Sequence, residues 1–137
     1  MLAAALAQLE GEGLRVLARA PVILTDPVGP ALRRYANSAA VVETRLEPPA
    51  LLALLKRVER AFGRRKGGRR WTSRVLDLDV ILWSGGPWAE PGLTVPHPLF
   101  RTRDFVLASA AHIAPDWRDP VTGATVDALA QARRTEN

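Results

Sequence analysis

Apolar residues recur at helical spacing in several parts of the chain. The clearest case begins at Pro48 and Pro49, after which the apolar positions from Leu51 to Phe62 predict an amphipathic helix to about Phe62. An alanine-rich stretch, 2–9, predicts a short helix that the glycines at 11 and 13 end. Two further helices are predicted, over about 103–112 and 126–131.

Other segments have the composition of strands. Residues 14–24 alternate weakly, 38–44 form a short apolar run, and 75–83 are rich in β-branched and large apolar residues. Proline and glycine at 26–30 predict a loop, and 63–74 form a basic loop with two glycines at its centre. Because strands and helices interleave with short connections, we expect an α/β sandwich in which helices cover a small sheet.

The composition is that of one soluble globular domain. The chain has 137 residues, of which 47% are hydrophobic and 24% charged, so we expect a single domain over 1–137. No cysteine is present, which excludes disulfides and thiolate zinc sites and fits a cytoplasmic location. The apolar beginning is interpreted as a helix rather than a signal peptide, and we expect no membrane span.

The positive charge is concentrated in one segment. The formal net charge is +5, and six of the 19 basic residues lie within 64–74: Arg64, Arg65, Lys66, Arg69, Arg70 and Arg74. Guanidinium groups there can bind phosphate oxygens, or the loop can bind nucleic acid. Trp71 in the same loop is either a lid that excludes water or a stacking platform.

Two aspartates follow this loop on the predicted strand 75–83. Side chains alternate between faces of a strand, so Asp77 and Asp79 should project to the same side, about 6.5 to 7 Å apart along the chain. Magnesium typically binds one or two carboxylates and completes its coordination with water and substrate phosphates. The pair therefore predicts a magnesium site for ATP chemistry, and the alternative is that both aspartates only form the solvated side of a strand.

Longer motifs connect these features to a known family. Residues 70–82 (RWTSRVLDLDVIL) and 95–98 (VPHP) resemble the signature of the 6-hydroxymethyl-7,8-dihydropterin pyrophosphokinases. The resemblance extends through 25–30, 35–40, 103–107 and 113–116, nearly the whole chain.

The resemblance implies an α+β fold: a ferredoxin-like α/β sandwich with a small, mostly antiparallel sheet covered by helices. Family members have a hydrophobic strand and a Gly-Ser-Asn turn before the first helix, and Met1 here already matches that helix, so the resemblance implies that the first strand is missing from this sequence. We expect its loss to leave unpaired backbone edges, and adding the upstream codons to raise stability and activity.

The implied activity is transfer of pyrophosphate from ATP to 6-hydroxymethyl-7,8-dihydropterin in folate biosynthesis, releasing AMP. The resemblance also implies that Asp77 and Asp79 bind two magnesium ions. The implied ATP-binding residues are Arg64, Trp71, Arg74, Val80, Thr94, His97 and Arg103, of which Arg64, Arg74 and His97 are the catalytic ones. The implied pterin-binding residues are Thr25, Val28, Tyr35, Asn37 and Phe105.

Alternatives remain for these residues and for the function. Tyr35 and Phe105 are also suited to core packing, and Asn37 to a turn or a strand edge. Catalysis would consist of positioning and charge stabilisation, with no general base identified. We expect small-molecule substrates, no nucleic-acid or membrane partner, and a monomer if the chain is full-length. The competing hypotheses are a basic nucleic-acid-binding domain and a truncated, inactive relative.

Overall fold

The computed structural model describes residues 2–25, 35–64 and 76–136. In chain order its elements are α1 (Leu2–Gly11), β1 (Arg15–Arg19), β2 (Ile23–Thr25), β3 (Tyr35–Asn37), β4 (Ala40–Glu43), α2 (Pro48–Arg64), β5 (Trp88–Glu90), β6 (Leu93–Val95), α3 (Asp104–Ile113) and α4 (Val126–Glu136). No helix in these ranges is long and apolar enough to cross a membrane.

The strands pair antiparallel, two at a time. Within the described residues β1 pairs with β4, β2 with β3, and β5 with β6. The β1–β4 register shifts between Val16 and Ala18, which marks a bulge or similar irregularity. Helices combined with small antiparallel sheets confirm the predicted α+β class, although the described strands form separate pairs rather than one sheet.

The four predicted helices are confirmed, and each ends one to five residues beyond its predicted end. The predicted strand 14–24 is instead divided into β1 and β2, with Pro21 between them. Proline has no backbone N–H to donate to a ladder, so it interrupts the pairing.

The prediction of a strand over 75–83 is wrong for the residues that the structure describes. Its described portion, 76–83, has no assigned strand partner within the described ranges. Exposure still alternates as in a strand, since Leu76 and Val80 are buried while Asp77 and Asp79 are exposed. A two-residue alternation follows from local backbone geometry, whereas a ladder also needs a neighbouring strand.

The main core lies between the helices α1 and α2 and the segment 76–80. Its buried residues are Ala5, Leu9, Leu14, Leu51, Leu54, Leu55, Val58, Phe62, Leu76, Val80, Leu93 and Val95. Five of them come from the apolar side of α2, as the spacing predicted. Since Leu76 and Val80 belong to this core, their burial holds the intervening aspartates at the surface.

A second core joins α3, α4 and the continuation of the same segment. Phe100, Leu107 and Ala130 are buried there, and Ile81 and Leu82 pack against them. Residues 76–82 therefore contact both cores, and the segment is packed along its length.

A buried carboxylate fixes the loop between α3 and α4. Asp119 is fully buried and accepts hydrogen bonds from the Arg101 guanidinium, the Val121 N–H and the Thr122 hydroxyl. The hydrogen bonds from Arg101 outweigh desolvation and, with the other donors, hold the pKa of Asp119 far below its usual value. Gly123, with a φ of +80°, lets its N–H donate to the Asp119 carbonyl at 2.7 Å.

Candidate active site around Asp77 and Asp79

Asp77 and Asp79 lie on the same side of the segment 76–80, as predicted. The Lys56 Nζ lies 3.8 Å from an Oδ1 of each carboxylate, so the two acidic groups converge on one cation. The Asp77 side chain is 73% exposed and that of Asp79 35%, which leaves both accessible from solution. The pair therefore has the placement that a shared cation site requires.

His97 lies beside this pair and follows β6. Its Nε2 is 3.9 Å from the Oδ2 of Asp79, and its backbone N–H donates to the Ile81 carbonyl at 2.9 Å. The Nδ1 accepts the Leu99 N–H at 3.1 Å, so the proton of a neutral imidazole is on Nε2. His97 consequently directs an N–H donor towards the carboxylates.

Two further residues of this site were not predicted, Lys56 and Glu59 on α2. Lys56 donates to Glu59 at 3.0 Å and to the Leu78 carbonyl at 3.2 Å. Partial burial disfavours the ammonium, but the hydrogen bond to Glu59 and the charges of Glu59, Asp79 and Asp77 raise the pKa of Lys56. The helical spacing of α2 predicts that both residues lie on its polar side, but it does not predict which segment they contact.

The donor set fits magnesium better than a metal held by protein ligands alone. Within 2–25, 35–64 and 76–136, no group of three or more histidine, cysteine, aspartate and glutamate side chains is arranged to hold a metal ion. Two accessible carboxylates are enough for magnesium, which uses substrate phosphates and water for the rest of its coordination. The ammonium between Asp77 and Asp79 indicates that their oxygens favour a cation there.

The remaining predicted ATP-binding residues are only partly described. Val80 is buried in the main core, Thr94 is exposed in β6, and Arg103 is exposed immediately before α3. Arg64 is the last residue of α2, and its side chain lies outside the described structure. Trp71 and Arg74 also lie outside the described residues.

Four of the five predicted pterin-binding residues lie on β2, β3 and α3. Thr25 and Tyr35 are register partners in the β2–β3 ladder, and Asn37 is the partner of Ile23. Phe105 is half-buried in α3, which lies beside both strands. The backbone thus brings these elements together, while the side chains of Thr25 and Tyr35, and all of Val28, lie outside the described structure.

A cavity of about 540 Å³ lies elsewhere, lined by residues 12–15 and 43–46 at one end of the β1–β4 ladder. None of the predicted site residues lines it. The candidate site is therefore defined by its charged groups rather than by this cavity.

Comparison with known proteins identifies a family for most of the chain. Residues 1–115 match the family described as 7,8-dihydro-6-hydroxymethylpterin-pyrophosphokinase. Three relatives are named 2-amino-4-hydroxy-6-hydroxymethyldihydropteridine pyrophosphokinase, from Synechocystis sp., Methylorubrum extorquens and Pseudomonas aeruginosa.

These relatives are 41%, 39% and 40% identical to the chain, over 72%, 85% and 77% of its length. The matches span 50%, 74% and 65% of the relatives' own lengths. Because the family match covers most of the sequence, including the Asp77–Asp79 segment and His97, the chain belongs to the 7,8-dihydro-6-hydroxymethylpterin-pyrophosphokinase family.

Proposed function

We propose that this chain transfers the β,γ-pyrophosphoryl unit of ATP to the hydroxymethyl group of 6-hydroxymethyl-7,8-dihydropterin, in folate biosynthesis. The products are AMP and the pterin pyrophosphate. Family membership and the names of the relatives support the reaction class. The main structural support is the convergence of the Asp77 and Asp79 carboxylates on one cation position beside His97.

In this proposal Asp77 and Asp79 hold two magnesium ions together with the ATP phosphates. Bound magnesium would offset phosphate charge and align the reacting oxygens. Both carboxylates are accessible and are supported by a segment packed into two cores, so they can bind a cation without rearrangement of the fold.

His97 donates from Nε2 to a phosphate oxygen in this arrangement. Its position is fixed by its own backbone hydrogen bond to Ile81 and by the Leu99 N–H on Nδ1. The remaining phosphate charge is assigned to Arg64, Arg74 and Arg103, because one guanidinium group can donate two parallel hydrogen bonds to a phosphate group. Trp71 is assigned to the loop that closes over ATP, with Val80 and Thr94 bordering the nucleotide.

The pterin is assigned to the elements β2, β3 and α3. Tyr35 and Phe105 would stack on the two faces of the ring, and Asn37 would pair with its polar edge. Thr25 and Val28 would contribute backbone groups. The support is that Phe105 lies on a helix adjacent to the strands of Thr25, Tyr35 and Asn37.

The proposal also covers organisation and location. We propose that 1–137 form one domain, which acts in the cytoplasm on small molecules without a nucleic-acid or membrane partner, and that the chain, if full-length, is a monomer. Family membership favours this function over a basic nucleic-acid-binding domain. The two differ experimentally, because nucleic-acid binding weakens steeply with salt and needs no magnesium.

An AMP-release assay with purified protein, ATP, magnesium and 6-hydroxymethyl-7,8-dihydropterin tests the function. AMP and the pterin pyrophosphate should form in equal amounts. Omitting either the pterin or magnesium should stop AMP release. AMP formation that is independent of the pterin would contradict the proposal. A folded chain that releases no AMP would instead support the inactive-relative hypothesis.

A further inference from the structure

The residue between the two aspartates is held by helix α2. Glu59 accepts the Leu78 N–H on Oε2 at 2.5 Å, and Lys56 donates to the Leu78 carbonyl at 3.2 Å. Lys56 and Glu59 also form an ion pair with each other at 3.0 Å, three residues apart on one side of α2. Both backbone groups of Leu78 are therefore bound by side chains from one turn of helix.

This arrangement substitutes for part of a ladder. A backbone N–H and C=O near the core need hydrogen-bond partners, which a neighbouring strand ordinarily supplies. Within the described residues no ladder includes 76–80, and the Lys56–Glu59 pair supplies both partners at Leu78. The Leu78 side chain also packs against the main core, so the residue is held through its backbone and its side chain.

Glu59 is placed to act through Leu78. Its side chain is only 18% exposed, and its Oε2 is bound by the Leu78 N–H and the Lys56 ammonium. Fixing the backbone at Leu78 fixes the direction in which the adjacent Asp77 and Asp79 project. The Lys56 ammonium lies between those two like charges and lowers their mutual repulsion.

We propose that Lys56 and Glu59 form a positioning clamp, which holds the Asp77 and Asp79 carboxylates in the relative position that binding of divalent cations requires. This inference rests on the proposed function, which supplies the magnesium role of the two aspartates. Glu59 is the main positioning residue, because it binds the backbone N–H of Leu78. Lys56 orients Glu59 and completes the clamp at the Leu78 carbonyl.

The test compares Glu59→Ala, Glu59→Asp and Glu59→Gln with the unchanged chain. Glutamine keeps an acceptor at the same reach for the Leu78 N–H, whereas aspartate keeps the charge but is one methylene shorter. Arg57→Ala is the matched control: Arg57 is exposed on the same helix and pairs with Glu12 instead. Circular dichroism first establishes which variants are folded.

The first readout is hydrogen exchange of the Leu78 amide by NMR. Exchange should become at least about 10-fold faster in Glu59→Ala and Glu59→Asp, and stay within about 3-fold of the unchanged chain in Glu59→Gln and Arg57→Ala. If Glu59→Ala does not fold, the comparison of Glu59→Asp with Glu59→Gln decides. Equal exchange in those two variants would overturn the clamp.

The second readout is the Mn²⁺ concentration at which paramagnetic broadening halves the NMR signal intensity of the Asp77 and Asp79 amides. Partners that orient metal ligands typically change metal affinity by about 10- to 100-fold, so the concentration should rise at least about 10-fold in Glu59→Ala. Glu59→Gln should restore most of the affinity. Faster Leu78 exchange with unchanged Mn²⁺ broadening would overturn the positioning role.

These readouts use neither ATP nor the pterin. The proposed function fails if the unchanged chain releases no AMP, whereas the clamp fails if the Leu78 exchange or the Mn²⁺ broadening is insensitive to Glu59. The two failures are therefore distinguishable.

Discussion

Asp119 lies outside the proposed active site, and removing its buried carboxylate should destabilise the fold. Asp119→Ala leaves the Arg101 guanidinium, the Val121 N–H and the Thr122 hydroxyl without their acceptor. Breaking a buried ion pair by removing one partner costs about 3 to 5 kcal/mol. Arg101 retains 27% exposure and can turn to water, so we expect the lower end, about 3 kcal/mol.

The assay is thermal unfolding followed by circular dichroism at pH 7. A chain of 137 residues has an unfolding entropy of about 0.3 kcal/mol per kelvin, so a loss of about 3 kcal/mol lowers the Tm by about 10 °C. Asp116→Ala is the matched control, because Asp116 is exposed in the same loop. A Tm for Asp119→Ala within about 3 °C of that control would refute the reasoning.

The same carboxylate predicts a pH dependence. Its pKa is lower in the folded chain than in the unfolded chain, so the stabilisation is complete above about pH 4 to 5 and is lost as the pH falls through the folded pKa. The stability difference between the unchanged chain and Asp119→Asn should therefore be constant from pH 5 to 8 and shrink below about pH 4. A difference that grows on acidification would contradict the assignment.

Three further predictions concern the core and the site. Leu107 is 1% exposed in the second core, so Leu107→Ala should lower the free energy of unfolding by about 2 to 5 kcal/mol, as measured by chemical denaturation. A loss below about 1 kcal/mol would contradict this prediction. His97→Ala should lower kcat/KM for AMP release by about 100-fold while leaving the Tm nearly unchanged, and full activity would remove its phosphate role. Chelation with EDTA should stop AMP release but shift the Tm by less than about 2 °C, because Lys56 remains between the carboxylates; a large shift would indicate a structural metal.

Local features of the fold were predictable because they depend on neighbours in sequence. The apolar positions of α2 lie on one side at 3.6-residue spacing, and this side is the one buried in the main core. The two-residue alternation around Leu78 likewise placed Asp77 and Asp79 together, as their shared distance to Lys56 confirms. The break at Pro21 was also visible in the sequence, since proline interrupts a ladder, but the strand prediction did not use it.

Features that depend on distant neighbours were not predictable from periodicity. β3 has only three residues, too few for a recognisable alternation, and it is assigned as a strand through its antiparallel pairing with β2. The strand predicted for 75–83 is not assigned in its described portion, 76–83, for the same reason, because strand pairing depends on a partner that is distant in sequence. The contacts from Lys56 and Glu59 to Leu78 span about twenty residues, and helical spacing contains no information about them.

The site itself was predicted in part. The resemblance assigned His97 to the ATP phosphates and the two aspartates to magnesium, and the structure places the His97 Nε2 3.9 Å from an Asp79 carboxylate oxygen. That the two neighbouring carboxylates bind magnesium stays a prediction, which rests on their residue type and spacing. The roles assigned to the site residues all stay predictions. Six of these residues have side chains outside the described structure: Thr25, Val28, Tyr35, Arg64, Trp71 and Arg74.

The central claim is that Asp77 and Asp79 jointly bind the magnesium needed for pyrophosphoryl transfer. It is tested most directly by AMP release as a function of magnesium concentration in the unchanged chain, Asp77→Asn, Asp79→Asn and the exposed control Asp116→Asn. Each substitution in the pair should lower AMP release by at least about 100-fold with the fold intact, and the control should match the unchanged chain. Undiminished, magnesium-dependent turnover in either folded variant of the pair would contradict the claim.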